Sequence, residues 1–204
     1  MSFDVEALAA PPTVTAALAR EVAAQWSSPD LLNHCIRSWI FASTLGDTNG
    51  LQYDRELLYV ASLLHDIGVT DHFDSNEIAF ETAGGAVGWV FAAGAGWDEP
   101  RRQRVLEVIE RHMWTHVDPR EDPEGHLLEV ATSLDVGGAA PELWDRDLIV
   151  AVAAAFPRGE FSAEFGACIH AQAVRKPNSN AVRLDRAGRV DAGAREWARL
   201  LGQA

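Results

Sequence analysis

The sequence predicts an all-α fold, and three observations carry that prediction. Apolar residues recur at helical spacing almost throughout the 204 residues. No segment shows a convincing alternation of apolar and polar residues, the mark of a half-buried strand. Capping residues and glycines fall where such helices would begin and end.

Ser28-Pro29-Asp30 opens a helix, with Ser28 as its cap and Pro29 at the first helical position. It carries Leu31, His34, Ser38, Phe41 and Ala42 and stops near Gly46-Asp47. Asp54 caps the next, whose face reads Leu57, Leu58, Ala61, Leu64 and His65 and which ends at Gly68. Ser75 is placed to cap a helix containing Phe80, Ala83, Val87 and Val90. Gly84, Gly85 and Gly88 within it cost stability individually, which close approach of a neighbouring backbone would explain. Asp98 caps a helix with Val105, Ile109, His112 and, four residues on, His116 along one face. Leu127, Leu128, Ala131, Leu134 and Asp135 mark another, ended by Gly137-Gly138. Helices over Asp145–Phe156, Ser162–Arg175 and Asp191–Leu201 complete the set, and Lys176–Arg189 reads as an irregular loop with room for a short hairpin.

The length suits one compact domain over residues 1–204, with its motif-bearing core at about 28–176. Thirty acidic residues against 17 basic ones give a net charge of -13, which disfavours nucleic acid and anionic membranes as partners. A strongly anionic substrate would need local rescue by specific cations. Cys35 and Cys168 form neither a CxxC pair nor a disulfide framework, so both read as free thiols in a reducing compartment. Met1–Glu6 lacks a basic n-region and an apolar h-region, and no stretch reaches the roughly 20 apolar residues that span a bilayer. A cytoplasmic protein acting on a small molecule is expected, and homo-oligomerisation is left open. The tryptophans, spread from Trp26 to Trp197, read as core, with Trp39 or Trp114 the candidates to touch a site.

The chemistry concentrates in Leu64-His65-Asp66-Ile67-Gly68. An imidazole and a carboxylate at the end of an apolar helix are costly to bury alone, and a divalent metal ion partners both. Asp66 and Asp135 each stand near a helix C-terminus, where a carboxylate opposes the macrodipole. With His34 they complete an ordered set, His34, His65, Asp66 and Asp135, that offers two nitrogens and two oxygens to one ion. Such a set suits zinc first, and iron(II), manganese or nickel as well. Around it stand His112 as a proton donor or substrate partner, Glu81 as a general base in an apolar helix segment, and Arg37, His116 and Lys176 as candidates to bind substrate, with Arg37 equally suited to orient a carboxylate or to form a structural ion pair.

These motifs resemble the HD-domain superfamily of metal-dependent hydrolases, whose pattern of His, His-Asp and Asp maps onto His34, His65, Asp66 and Asp135. The resemblance extends to the cyanamide hydratase-like subgroup through residues 33–42, 64–68, 80–85, 131–137 and 156–162. It implies an HD-type helical bundle and a metal-dependent hydrolase or hydro-lyase that adds water to a small substrate, such as the C≡N group of cyanamide. The alternatives are an HD phosphohydrolase of nucleotides or related esters, and a metal-binding sensor without turnover. Where the subgroup follows Lys-Pro with tryptophan and histidine, this chain has the amides Asn178 and Asn180. Val69 stands where nucleotidase-like members place glutamate and cyclic-dinucleotide phosphodiesterases place lysine, which weakens both phosphate-directed readings.

Overall fold

In the computed structural model, which describes residues 3–202, eleven α-helices and two 3₁₀ turns account for all regular structure, with no strand among the described residues. The outermost positions of the expected 1–204 span lie outside them. The helices are α1 (Val5–Ala9), α2 (Val14–Trp26), α3 (Pro29–Thr48), α4 (Arg55–Leu64), α5 (Phe80–Gly94) and α6 (Glu99–Arg111), followed by α7 (Pro123–Gly137), α8 (Arg146–Ala155), α9 (Phe161–Arg175), α10 (Asn180–Arg186) and α11 (Arg189–Leu200). None of the described helices is long and apolar enough to cross a membrane.

The centre is α3. Ser28 Oγ accepts the Leu31 N–H at 3.1 Å, Pro29 opens the first turn, and residues 34–43 are buried without interruption. A helix apolar all round must be enclosed by others, and α4, α7 and α9 all pack on this one. A large apolar cluster runs from α1 to α8 through Trp39, Phe41, Tyr59 and Leu128, and a smaller one gathers Val69, Phe80, Met113, Phe161, Phe165 and Ile169.

Glycines permit the tightest approach. A Cβ on Gly68 would lie 2.1 Å from the Phe80 carbonyl oxygen, and one on Gly84 would lie 2.9 Å from that of His65. The first turns of α5 therefore rest directly on the 3₁₀ turn Ile67–Val69, as the glycines in that helix led one to expect.

Three local expectations differ from the structure. Ser75 caps no helix: its Oγ accepts the N–H groups of Glu77 and Ile78 inside a loop, and α5 begins at Phe80 without a capping side chain. The helix opened by Asp98 ends at Arg111, so His116 shares no face with His112 and lies exposed in the following loop. The stretch Lys176–Arg189 holds the helix α10 instead of a hairpin, because packing Ala181 against α9 buries more than an open loop would. At the other end, α1 and α2 start at Asp4 and Thr13, each accepting a first-turn N–H, and α2 packs on α4 with the small face Ala16, Ala19 and Ala23 buried.

One polar network clamps α6 to α7 and to the start of α4. Asp122 accepts Gly125 N–H at 2.8 Å and the guanidiniums of Arg104 and Arg111, both at 2.6 Å. Glu124 takes Arg104 as well and accepts the Asp54 N–H at 2.6 Å. Burial alone would raise the Asp122 carboxyl, but the two arginines override it and hold the group below the usual carboxylate range. Its contribution is therefore present above an unfolded value near ~3.9 and lost as the pH falls through the lower folded value. Asp122→Asn, which keeps a capping oxygen but loses the charge, is expected to cost about 2 kcal/mol at pH 7. Urea unfolding at pH 7 and pH 3 checks it, the gap from the parent protein narrowing at the lower pH.

Candidate metal centre and its cavity

The site forms where three helix segments end or cross. His34 faces inward from the second turn of α3, His65 closes α4 as its C-cap, and Asp66 leads into the 3₁₀ turn. Because α4 stops at that point, neighbouring residues 65 and 66 turn their side chains to one place. The ligand atoms of His34, His65 and Asp66 converge and are all buried. His34 Nε2 lies 3.0 Å from His65 Nε2, and Asp66 Oδ2 lies 3.2 and 3.3 Å from the two.

The second nitrogen of each ring assigns its proton. The Ser62 carbonyl only accepts, so His65 donates Nδ1–H to it at 2.8 Å. Asp135 accepts Nδ1–H of His34 at 2.6 Å. Both Nε2 atoms are thereby left as bare lone pairs that face one another, and neither Asp66 oxygen accepts a hydrogen bond. Two imidazole lone pairs and a dry carboxylate, with no proton to share among them, fit a divalent cation.

Asp135 departs from the expectation that it is a fourth ligand. Its Oδ1 accepts Arg37 Nε–H at 2.7 Å, and its Oδ2 accepts Arg37 Nη2–H at 2.8 Å as well as the His34 ring. Arg158 stands 3.2 Å from Oδ1 and donates to the Asp135 backbone carbonyl at 2.7 Å. Burial would push this carboxyl up, but Arg37 and Arg158 override that and drive it far down. Asp135 thus orients a ligand through its other nitrogen.

Arg37 is corrected with it. Of the roles expected for it, substrate binding falls away and the orienting of a carboxylate stands: it is fully buried, and its Nη1 donates to the carbonyls of Phe156 and Pro157 at 3.0 and 3.1 Å. Every face of the guanidinium is committed to protein.

A cavity of about 80 Å³ opens onto the three ligands. His112 stands on its floor, donating Nδ1–H to the Ile109 carbonyl and presenting Nε2 to Asp66 Oδ1 at 3.5 Å. Val136 and Phe165 supply apolar wall, while Trp114, Arg183 and Arg189 form an exposed rim. Phe161 stacks on the His34 ring with centroids 4.5 Å apart, and Phe80 lies against His112, so the ligand rings are held in place.

The remaining candidates are not among the residues that line this cavity. Glu81 is buried beside it in sequence terms only: its Oε1 accepts Asn180 Nδ2–H at 2.9 Å and its Oε2 has no partner. Lys176 is buried and tied to Asp74 at 3.0 Å and to Gln172. His116 is exposed. Trp39 packs on Tyr59 far into the core, and of the two tryptophans suggested it is Trp114 that reaches the cavity. Sequence reasoning missed Arg158, although it stands inside the segment Phe156–Ser162 that carries part of the resemblance, and it missed Arg183 and Arg189, which no motif marks.

Comparison with known proteins agrees with this geometry. Residues 31–152 match the family model described as HD domain. Cyanamide hydratase DDI2 and cyanamide hydratase DDI3 of Saccharomyces cerevisiae are each 32% identical to this chain over 172 residues, which covers 82% of this chain and 76% of the relative.

Two outcomes are expected. Asp66→Ala should lose metal binding while keeping the helicity seen by circular dichroism, and a full metal complement in that variant would remove the assignment. Arg158→Gln should weaken metal affinity by about 10–100-fold, the usual effect of releasing a group that orients a ligand, as read by competition with a metal-sensitive dye.

Proposed function

The chain belongs to the HD domain family, in its cyanamide hydratase-like subgroup, and from that premise we propose that it adds water to the C≡N group of a small substrate, cyanamide first, to form urea. The observation that carries this reading is the trio of unpaired lone-pair groups, His34 Nε2, His65 Nε2 and Asp66, at the floor of a small cavity with His112 beside it. A divalent ion held by that trio, zinc or else iron(II), manganese or nickel, would supply Lewis acidity and make water acidic enough to serve as a nucleophile near neutral pH.

The chain's own residues do the rest. Asp135 keeps the proton of His34 on Nδ1 and so keeps the Nε2 lone pair available. Addition of water to C≡N moves one proton to the nitrile nitrogen and leaves isourea, whose hydroxyl proton then shifts to the same nitrogen to give urea. His112 is placed to carry the first proton, because its Nδ1–H is fixed on Ile109 and its Nε2 is the free end, within reach of the centre. Val136 and Phe165 keep the wall apolar, which favours a small, weakly solvated substrate over bulk water. Glu81 and Lys176, both engaged away from the cavity, have no step in this scheme.

The test is release of urea from cyanamide by protein of known metal content. Activity should vanish with a chelator and return with the metal. His112→Gln should lower kcat by about 10²–10⁴-fold with metal retained, the range for loss of a proton carrier. Phosphate from nucleoside monophosphates in place of urea would move the chain to phosphohydrolysis, and firm metal binding without turnover would make it a sensor.

A further inference from the structure

The cavity rim has a charge that the hydration of cyanamide does not use. Arg183, near the middle of α10, and Arg189, the first residue of α11, both line it. Arg183 gives one nitrogen, Nη2, to the Met113 carbonyl and keeps the rest of its fork. The Arg189 side chain has no hydrogen bond or ion pair with any described residue. Asp66 is the single acidic residue of the lining, and it sits at the floor among the metal ligands. In a chain of net charge -13, nearly every other arginine near the site is matched to carboxylates or carbonyls. Arg189 is therefore out of keeping with its surroundings at the entrance of the metal-centre cavity, and Arg183, which spends one nitrogen on a carbonyl and lies in the field of Glu129, is committed only in part.

A second feature lies at the same place. Gly188 caps α11 without a side chain, so the first-turn N–H groups of this twelve-residue helix meet no capping oxygen where Arg189 stands. Planar guanidinium forks and open helix N–H groups both favour an oxyanion.

We propose that Arg183 and Arg189 form an oxyanion subsite at the cavity rim, so that beyond cyanamide this protein takes substrates in which a carboxylate or phosphate group accompanies the C≡N attacked at the metal centre. The substrate class follows from the hydration reading and rests on it, whereas the binding of an anion at the rim does not. The overall negative field of the chain repels anions at long range, and the rim reverses it locally for a group that reaches the entrance. Neutral cyanamide would use the floor and leave the rim empty.

Titration calorimetry of sodium acetate and of inorganic phosphate into the metal-free protein tests the subsite without catalysis. One saturable site is expected, weakened at least tenfold in Arg183→Gln/Arg189→Gln and unaltered in Arg186→Gln, an exposed arginine of α10 outside the lining. Tighter phosphate identifies a phosphorylated ligand, and acetate binding at least as tightly identifies a carboxylate. No binding, or equal binding in the double variant, overturns the proposal. Where urea formation has been established, cyanoacetate should exceed acetonitrile at least tenfold in kcat/KM, and the double variant should erase that preference. Failure of the hydration reading leaves the calorimetric result standing, and failure of the calorimetry leaves urea formation standing, so the two are separable.

Discussion

Arg37 and Asp135, both fully buried, form the ion pair around which the site is arranged. A carboxylate in the last turn of α7 is opposed by the helix dipole and by desolvation, and it persists there because a planar fork meets both of its oxygens. The same guanidinium reaches the carbonyls of Phe156 and Pro157, where α8 gives way to α9. One side chain of α3 therefore sets the end of α7, the α8–α9 link and, through Asp135, the ring of His34. A hydrophobic pair of equal volume could match its contribution to stability. It could not orient an imidazole.

The way α5 meets α4 shows the same economy of position. With the Phe80 carbonyl and the N–H of Gly84 against Gly68, there is no room for the turn after His65 to take another course. The backbone that aims Asp66 is fixed by packing from outside the site, while the side chain itself is left without a hydrogen-bond donor. Rigid backbone and unsatisfied side chain together describe a site shaped for a cation before the cation arrives.

Much of this was legible in the sequence because local signals matched the tertiary outcome. Ser28, Asp54 and Asp98 each cap the helix assigned to them, and Gly138 ends α7 in the left-handed conformation. His34, His65 and Asp66 were readable as a group from order and spacing, and the structure brings them together. What escaped was decided by partners remote in sequence. Asp135 looks like a ligand from its place in the chain, but Arg158, in a different helix connection, and Arg37 claim its oxygens. Lys176 looks like a group for the pocket mouth until Asp74, from the loop before α5, is seen to hold it. Periodicity carried His116 onto a helix that ends before it, because α6 closes at His112 and the chain turns toward Val117, which is buried.

The floor and the rim of the cavity come from separate stretches of chain. Every group that handles the reaction lies between His34 and Asp135, whereas the rim cations lie on α10 and α11, at positions exposed to solvent even though Gly193 and Trp197 seat α11 on the last turn of α7. Exchanges in the last two helices would alter which molecules are let in while the ligands beneath stay in register, so relatives that keep the same floor can come to serve different metabolites by changing little more than their carboxyl-terminal turns.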